Sequence, residues 1–411
     1  MNRGQLSDLF TGVAIKRLSA VETRPEISNQ HEFNGSAALR QIFGDEDMKQ
    51  IPARYIWLGS EQDAISVDHK VSWYDSRRAH ATRTEYRLYY FDNEVTGMMK
   101  EGDALFVALP RAGAPLIIVV PVNSTLEHQL VWLFGIGQDP GSSFAVKQVE
   151  PKTATELDFA ARYILNQLGI DPPEPEADLL DRLIEPFGLV FPKTAIFSAA
   201  ARKSREDLSA LGEPDAALTG WLDREEAMFR RLERRIVAAR IGAGFGAADA
   251  ADVDGFLGFS LSVQNRRKSR AGLALENHLG ALLADNGIRH SRGAVTENGN
   301  RPDFLFPGAA EYRDPAFPAA RLTMLGAKST LKERWRQVLS EAARIPGKHL
   351  LTLEPGISQN QTDEMAAKAL RLVVPRALHA SYRPAQQAWL MDVRSFVTLA
   401  HARQAGGRAG G

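Results

Sequence analysis

No cysteine occurs in the sequence, so disulfides, thiolate zinc sites and cysteine nucleophiles are excluded. That absence fits a cytoplasmic protein. An excess of one charge is also lacking: 50 Lys and Arg balance 50 Asp and Glu, for a formal net charge of +0. A partner as anionic as nucleic acid would have to meet local basic patches and not a globally cationic chain. No apolar run approaches the roughly 20 residues of a membrane span. Met1-Asn2-Arg3-Gly4-Gln5 lacks the apolar core of a secretory signal, so a soluble protein is expected.

What is present reads as ordinary globular composition, with 44% hydrophobic and 24% charged residues. A chain of 411 residues is too long for one ordinary core, and two domains follow. Up to residue 170 the sequence is rich in short β-type runs: Tyr55–Leu58, Lys70–Tyr74, Glu85–Phe91, Asp103–Leu109 and Pro115–Val120. Their even spacing predicts a small barrel or sandwich. Within it, Arg83, Glu85 and Arg87 stand beside aromatics. They suit either a solvated hairpin edge or a DNA-facing surface, with arginines for guanine edges or phosphates and Glu85 for a cytosine amino group. The Pro-rich, acidic stretch Asp171–Glu176 reads as a linker, placed over residues 171–192. Residues 193–411 form the second domain. There the highly charged stretch Arg202–Arg240 turns helical and suits a solvated helix face.

The chemistry concentrates between Thr296 and Leu353. Asn298-Gly299 signals a tight turn with positive φ at both positions. Asp303-Phe304-Leu305-Phe306 reads as a short buried strand and Leu322–Ala327 as its partner. Thr330 then caps a helix with Leu331, Trp335, Val338, Leu339 and Ala342 on its apolar face. Asp303 and Lys328 thereby fall on neighbouring strands. Metal-dependent phosphodiester hydrolysis needs such a convergence, with carboxylates for a hard divalent ion and a lysine for water and charge. The common nuclease pattern places Asp or Glu two residues before the lysine, but Gly326 stands there. Glu341, on the following helix, is the natural substitute, and Glu276, at the edge of a predicted helix over Ser269–Asp285, is a further candidate ligand. Lys332-Glu333-Arg334 offers donor, acceptor and donor to G·C pairs in a major groove, or simple pairing along a helix.

The runs Arg266-Arg267-Lys268-Ser269-Arg270-Ala271-Gly272, Arg301–Pro307 and Lys332–Gln337 together resemble the EcoRII-type restriction endonucleases, with Lys328, Lys332 and Glu341 at that family's spacing. The resemblance is strongest from about Val263 to Pro375 and weaker over residues 14 to 130. It implies an N-terminal all-β pseudobarrel (1–170) binding a second DNA copy as an autoinhibitory sensor. It further implies a C-terminal α/β restriction-endonuclease-like domain with a mixed central sheet. The implied activity is Mg2+-dependent cleavage of double-stranded DNA near a site such as 5′-CCWGG, by a homodimer working beside a cognate DNA methyltransferase. In that frame Asp303 and Glu341 hold the ion, Lys328 orients water, and Lys332 assists at the phosphate or at a base. Lys332, Glu333, Arg334 and Arg336 face DNA, while Arg266, Arg267, Lys268 and Arg270 contact phosphates. Arg83, Glu85 and Arg87 keep the sensor's residue types, whereas Ala81 and Tyr86 depart from it. Tyr312 matches a family tyrosine without an assigned role. A repair-type nuclease of the same fold and an inactive DNA-binding regulator are the competing readings.

Overall fold

The computed structural model describes residues 6–24, 31–34, 37–59, 64–80, 82–136, 141–150, 159–170, 176–247, 250–331 and 334–405. The chain divides into two compact units, Met1–Pro173 with Pro355–Gln359, and Glu174–Glu354 with Asn360–Gly411. No described helix is long and apolar enough to cross a membrane.

The first unit is built on β1 (Phe10–Arg17), β2 (Glu32–Asn34), β3 (Met48–Trp57), β4 (Ile65–Asp75), β5 (Tyr86–Tyr90), β6 (Ala104–Pro110), β7 (Leu116–Val120) and β8 (Ala145–Gln148). They form one 8-stranded sheet in the order β2-β5-β4-β3-β7-β6-β1-β8. Every pair is antiparallel except β3 with β7. The central strands are apolar on both faces because both faces are buried. Phe106, Ile118 and Val13 face one core, and Leu105, Val107 and Ile117 face the other. The helices Thr125–Phe134 and Phe159–Gln167 pack Leu130, Leu133, Ile164 and Leu165 into the first of these cores. The expectation of an all-β unit is thus corrected: a sheet buried on both sides needs a cover, and helices supply it.

Asp171–Pro175, the most linker-like residues, lie outside the described ones. The rest of the expected linker is largely ordered. The helix Ala177–Ile184 buries Leu180 and Ile184 against Phe197, Met228, Phe229 and Leu232. Its apolar residues recur at helical spacing, which composition alone conceals.

Three helices then carry the second unit: Thr194–Lys203, Pro214–Gly242 and Val253–Asp285. A short pair of strands, β9 (Gly246–Ala247) and β10 (Ala250–Ala251), lies between the two long ones. Several charges here are buried or paired inside the layer, while Lys203, Glu206, Asp207 and Arg234 stay exposed. Glu225 is fully buried, with His278 Nε2 at 2.8 Å and Arg270 Nη1 at 3.3 Å. Arg270 also pairs with Glu226, and its guanidinium stacks 4.1 Å from the Phe229 ring. Arg231 and Arg235 both reach Asp181.

Beside this layer lies a 5-stranded sheet of β11 (Ser291–Arg292), β12 (Phe304–Phe306), β13 (Thr323–Lys328), β14 (Lys348–Thr352) and β15 (Leu370–Val373), in sequence order. The first three strands pair antiparallel and the last three parallel, a mixed sheet. Leu275, Leu279, Leu282 and Leu283 are buried on the helix Val253–Asp285. That helix starts well before the expected Ser269. On the helix Val393–Ala405, Phe396 packs against Phe306 and His349.

Arg270, expected at a phosphate, is therefore an internal counter-charge. Arg270→Ala should lower unfolding stability by about 3–5 kcal/mol, because it strips a buried carboxylate of its partner. Chemical denaturation measures this, and a surface phosphate contact would leave the midpoint unchanged.

Candidate active site

Asp303 stands immediately before β12, and Lys328 ends β13. Because Phe304 pairs with Leu325 in antiparallel register, Asp303 comes level with the last residues of β13. Its Oδ2 accepts the Lys328 ammonium at 2.9 Å and the Ala327 amide at 2.7 Å. The turn that leads in is built as expected, with Asn298 at φ 60 and Gly299 at φ 75. The Asn300 amide closes it on the Glu297 carbonyl at 3.1 Å.

Gly326 explains the missing acid. A Cβ there would lie 3.1 Å from both Leu350 Cδ1 and Val338 Cγ2, so a carboxylate at this position would require those side chains to give way. Glu341 does not sit on a helix as expected. The helical turn after Lys328 covers only Trp335–Val338, and Ala342 turns to φ 49. Glu341 lies in the bend between. Its Oε2 is buried and has no hydrogen-bond partner among the described residues. Burial, then the nearby Asp303 charge, pushes its carboxyl up to about 7, against the pull of Lys328 and Lys348.

A clamp that sequence reasoning missed holds this bend. The Tyr312 hydroxyl donates to Glu297, 2.6 Å from Oε2, and accepts the Arg344 amide at 3.3 Å. Glu297 Oε2 accepts the Ala343 amide at 3.2 Å, and Asn300 Nδ2 donates to the Ser340 carbonyl at 2.9 Å. The turn before Asp303 thus grips the chain on both sides of Glu341. The only sequence signal was the resemblance at Tyr312.

Residues 229–397 match the family model described as EcoRII C terminal. The matched segment contains Asp303, Lys328, Glu341 and the whole clamp. The Type II restriction enzyme EcoRII of Escherichia coli is 44% identical over 186 residues, which cover 45% of this chain and 45% of that protein. The match therefore spans less than half of either chain. Among solved structures, metal-depleted Ecl18kI in complex with uncleaved, modified DNA aligns at TM-score 0.46 with 17% identity, covering 58% of this chain and 87% of that one. A PspGI–substrate DNA complex aligns at 0.40 with 14% identity, covering 59% and 95%.

Within the matched segment, the donor set fits a hard divalent ion. Magnesium is held by one or two carboxylates plus water and phosphate oxygens, and the orphaned Glu341 oxygen beside Asp303 is such a set. No larger cluster of metal-ligating side chains exists among the described residues. Glu276, on the helix Val253–Asp285, accepts a hydrogen bond from Arg292 at 3.1 Å.

The other singled-out residues scatter. Lys332, Glu333 and Ala81 lie outside the described residues, as does the Lys268 side chain. Arg334 is exposed and donates to the Thr330 carbonyl at 3.1 Å. Arg336 makes a bidentate pair with Glu364 at 2.8 and 2.9 Å. Arg266 lies 4.2 Å over the Phe191 ring, and Arg267 reaches the buried Glu233 at 2.8 Å. In the first unit Arg83 is exposed, while Glu85 is paired with both Arg77 and Arg87. Tyr86 is buried, stacked on Trp73 at 5.0 Å.

The raised Glu341 pKa has a defined sign. Its protonated form is favoured in the fold, so its contribution to stability is full below the ordinary carboxylate range and fades as pH rises to about 7. Metal-free Glu341→Gln should lose this slope in a series of thermal melts. Divalent-ion affinity of the unaltered protein should climb over the same window, as the proton leaves. Tyr312→Phe should raise the half-saturating Mg2+ concentration several-fold while circular dichroism stays unchanged. An unaltered half-saturation would show that the clamp does not position Glu341.

Proposed function

We propose that the chain is a sequence-specific type II restriction endonuclease that hydrolyses double-stranded DNA with Mg2+. The observation that carries this reading is the Asp303–Lys328 pair facing an unsatisfied, half-buried Glu341, inside the segment that matches the EcoRII C-terminal family model. Asp303 and Glu341 would hold the ion. When bound, it would polarise the scissile phosphate and acidify a water. Lys328, fixed by Asp303, orients that water and offsets charge growing on the phosphate. Lys332 assists at the phosphate or at a base. Lys332, Glu333 and Arg334 read the outer G·C pairs, while Arg266 and Lys268 track phosphates.

The proposed target is similar to 5′-CCWGG, cut before the first C, as the resemblance of Arg301–Pro307 and Lys332–Gln337 to the EcoRII type implies. A homodimer formed through the catalytic domains belongs to the same proposal, as do cytoplasmic location and a cognate methyltransferase in the same system. The first unit, over residues 1–170, would act as a pseudobarrel sensor that restrains cleavage until a second site binds. Arg83, exposed on its surface, is its best-placed DNA donor.

Digestion of unmethylated plasmid carrying several CCWGG sites tests the reading. Discrete fragments with ends at that sequence are expected with magnesium and none with chelator. Asp303→Asn should abolish cutting and keep DNA binding. Arg334→Ala should cost about 1–3 kcal/mol of base discrimination, and an equal loss of affinity for all sequences would make Arg334 a phosphate contact only. Cleavage without fixed ends would favour a structure-specific nuclease. Binding without any cleavage would favour a regulator.

A further inference from the structure

Where β14 and β15 begin, the second unit holds a pocket of about 300 Å³. Lys348, His349, Arg371, Trp389 and Arg403 line it, and no acidic residue does. Arg403 is half-buried and donates to the Leu322 carbonyl at 2.9 Å and the Thr323 hydroxyl at 2.7 Å, both uncharged. Burial lowers its pKa, and no carboxylate offsets that cost among the described residues. Arg371 is exposed and donates its Nε to the Trp389 carbonyl at 3.2 Å, leaving its terminal nitrogens toward solvent. His349 is buried, and its Nδ1 has no hydrogen-bond partner among the described residues.

Guanidinium groups without acids, around a cavity, are matched by an oxyanion. The C-terminal turn of the helix Gln359–Ala367 also borders the pocket through Ala366. Its carbonyl end carries only about half a negative charge, against the full charges of Arg371 and Arg403; the Lys348 ammonium is taken up by the Ala342 and Ile345 carbonyls. We propose that this pocket binds a phosphate group, with Arg371 and Arg403 donating to its oxygens. Burial, with Arg403 and Arg371 adding to it, pushes His349 down to about 4, so near neutral pH the ring adds no charge to the pocket. The site lies apart from Asp303 and Lys328. Lys348 and His349 open β14, whereas Lys328 pairs with Thr352 at that strand's far end.

Titration calorimetry of the full chain with inorganic phosphate, in chelator and low salt at pH 7, tests the proposal. One saturable site is expected, weakened at least about tenfold by Arg371→Gln and by Arg403→Gln. Among the described residues the Arg371 side chain makes one hydrogen bond, to the Trp389 carbonyl, so its variant tests the site even where Arg403→Gln disturbs folding. Asp303→Asn should bind phosphate like the unaltered chain. Competition separates the sources. Displacement by dAMP but not by a short duplex assigns a free phosphate or monoester. Displacement by duplex assigns the DNA backbone. Absence of phosphate binding, or equal binding by both arginine variants, overturns the site.

Discussion

The antiparallel register of β12 on β13 is the constraint on which the candidate active site depends. It sets Phe304 opposite Leu325, and so delivers Asp303 to the end of β13, where Lys328 and the Ala327 amide meet its Oδ2. A shift of one residue would turn Asp303 to the other face of the sheet. Both strands are buried along almost their whole length, which makes any other register expensive. The pairing is thus set by apolar packing, and the polar chemistry is carried along with it.

The position of Glu341 follows from the same packing. Val338 and Leu350 fill the space beside Gly326, so that position on β13 stays without a side chain. The chain then ends its helical turn early, reverses at Ala342 and presents Glu341 from the bend. Holding a lone carboxylate half out of water costs energy, which shows in its high pKa. The Glu297–Tyr312 clamp and the Asn300 amide supply the hydrogen bonds that keep the bend in place. Such a local imbalance is what a site leaves when its counter-charge comes from a bound ion.

The charged helices of the second unit show how one residue type serves two ends. Arg270 and Arg267 belong to a run that reads as a DNA-contacting patch, yet Arg270 is buried between Glu225 and Glu226, and Arg267, though exposed, is paired with Glu233. Arg266, one residue away, keeps its exposed face. Which arginine touches solvent is decided by helix phase and by the acids on the helix Pro214–Gly242. Neither can be read from a cluster of positive charge.

Much of the fold was legible in the sequence. The runs at Tyr55, Lys70, Glu85, Asp103 and Pro115 each fall on a strand, because apolar β-branched and aromatic stretches between turns have few other stable forms. Strand β1 escaped notice: it is apolar on both faces and carries Lys16, which is buried against Glu22. The short β2 and β8 offer too little periodicity to stand out. For the candidate site, Asp303, Lys328 and the Asn298-Gly299 turn depend on local spacing and strand alternation, and these the amino-acid order determined by itself. Tertiary structure alone decided the early end of the helical turn, the clamp at Tyr312, the pairing of Glu276 with Arg292 and the burial of Arg270. Each depends on side chains distant in sequence meeting in space, and short-range periodicity carries no record of such meetings.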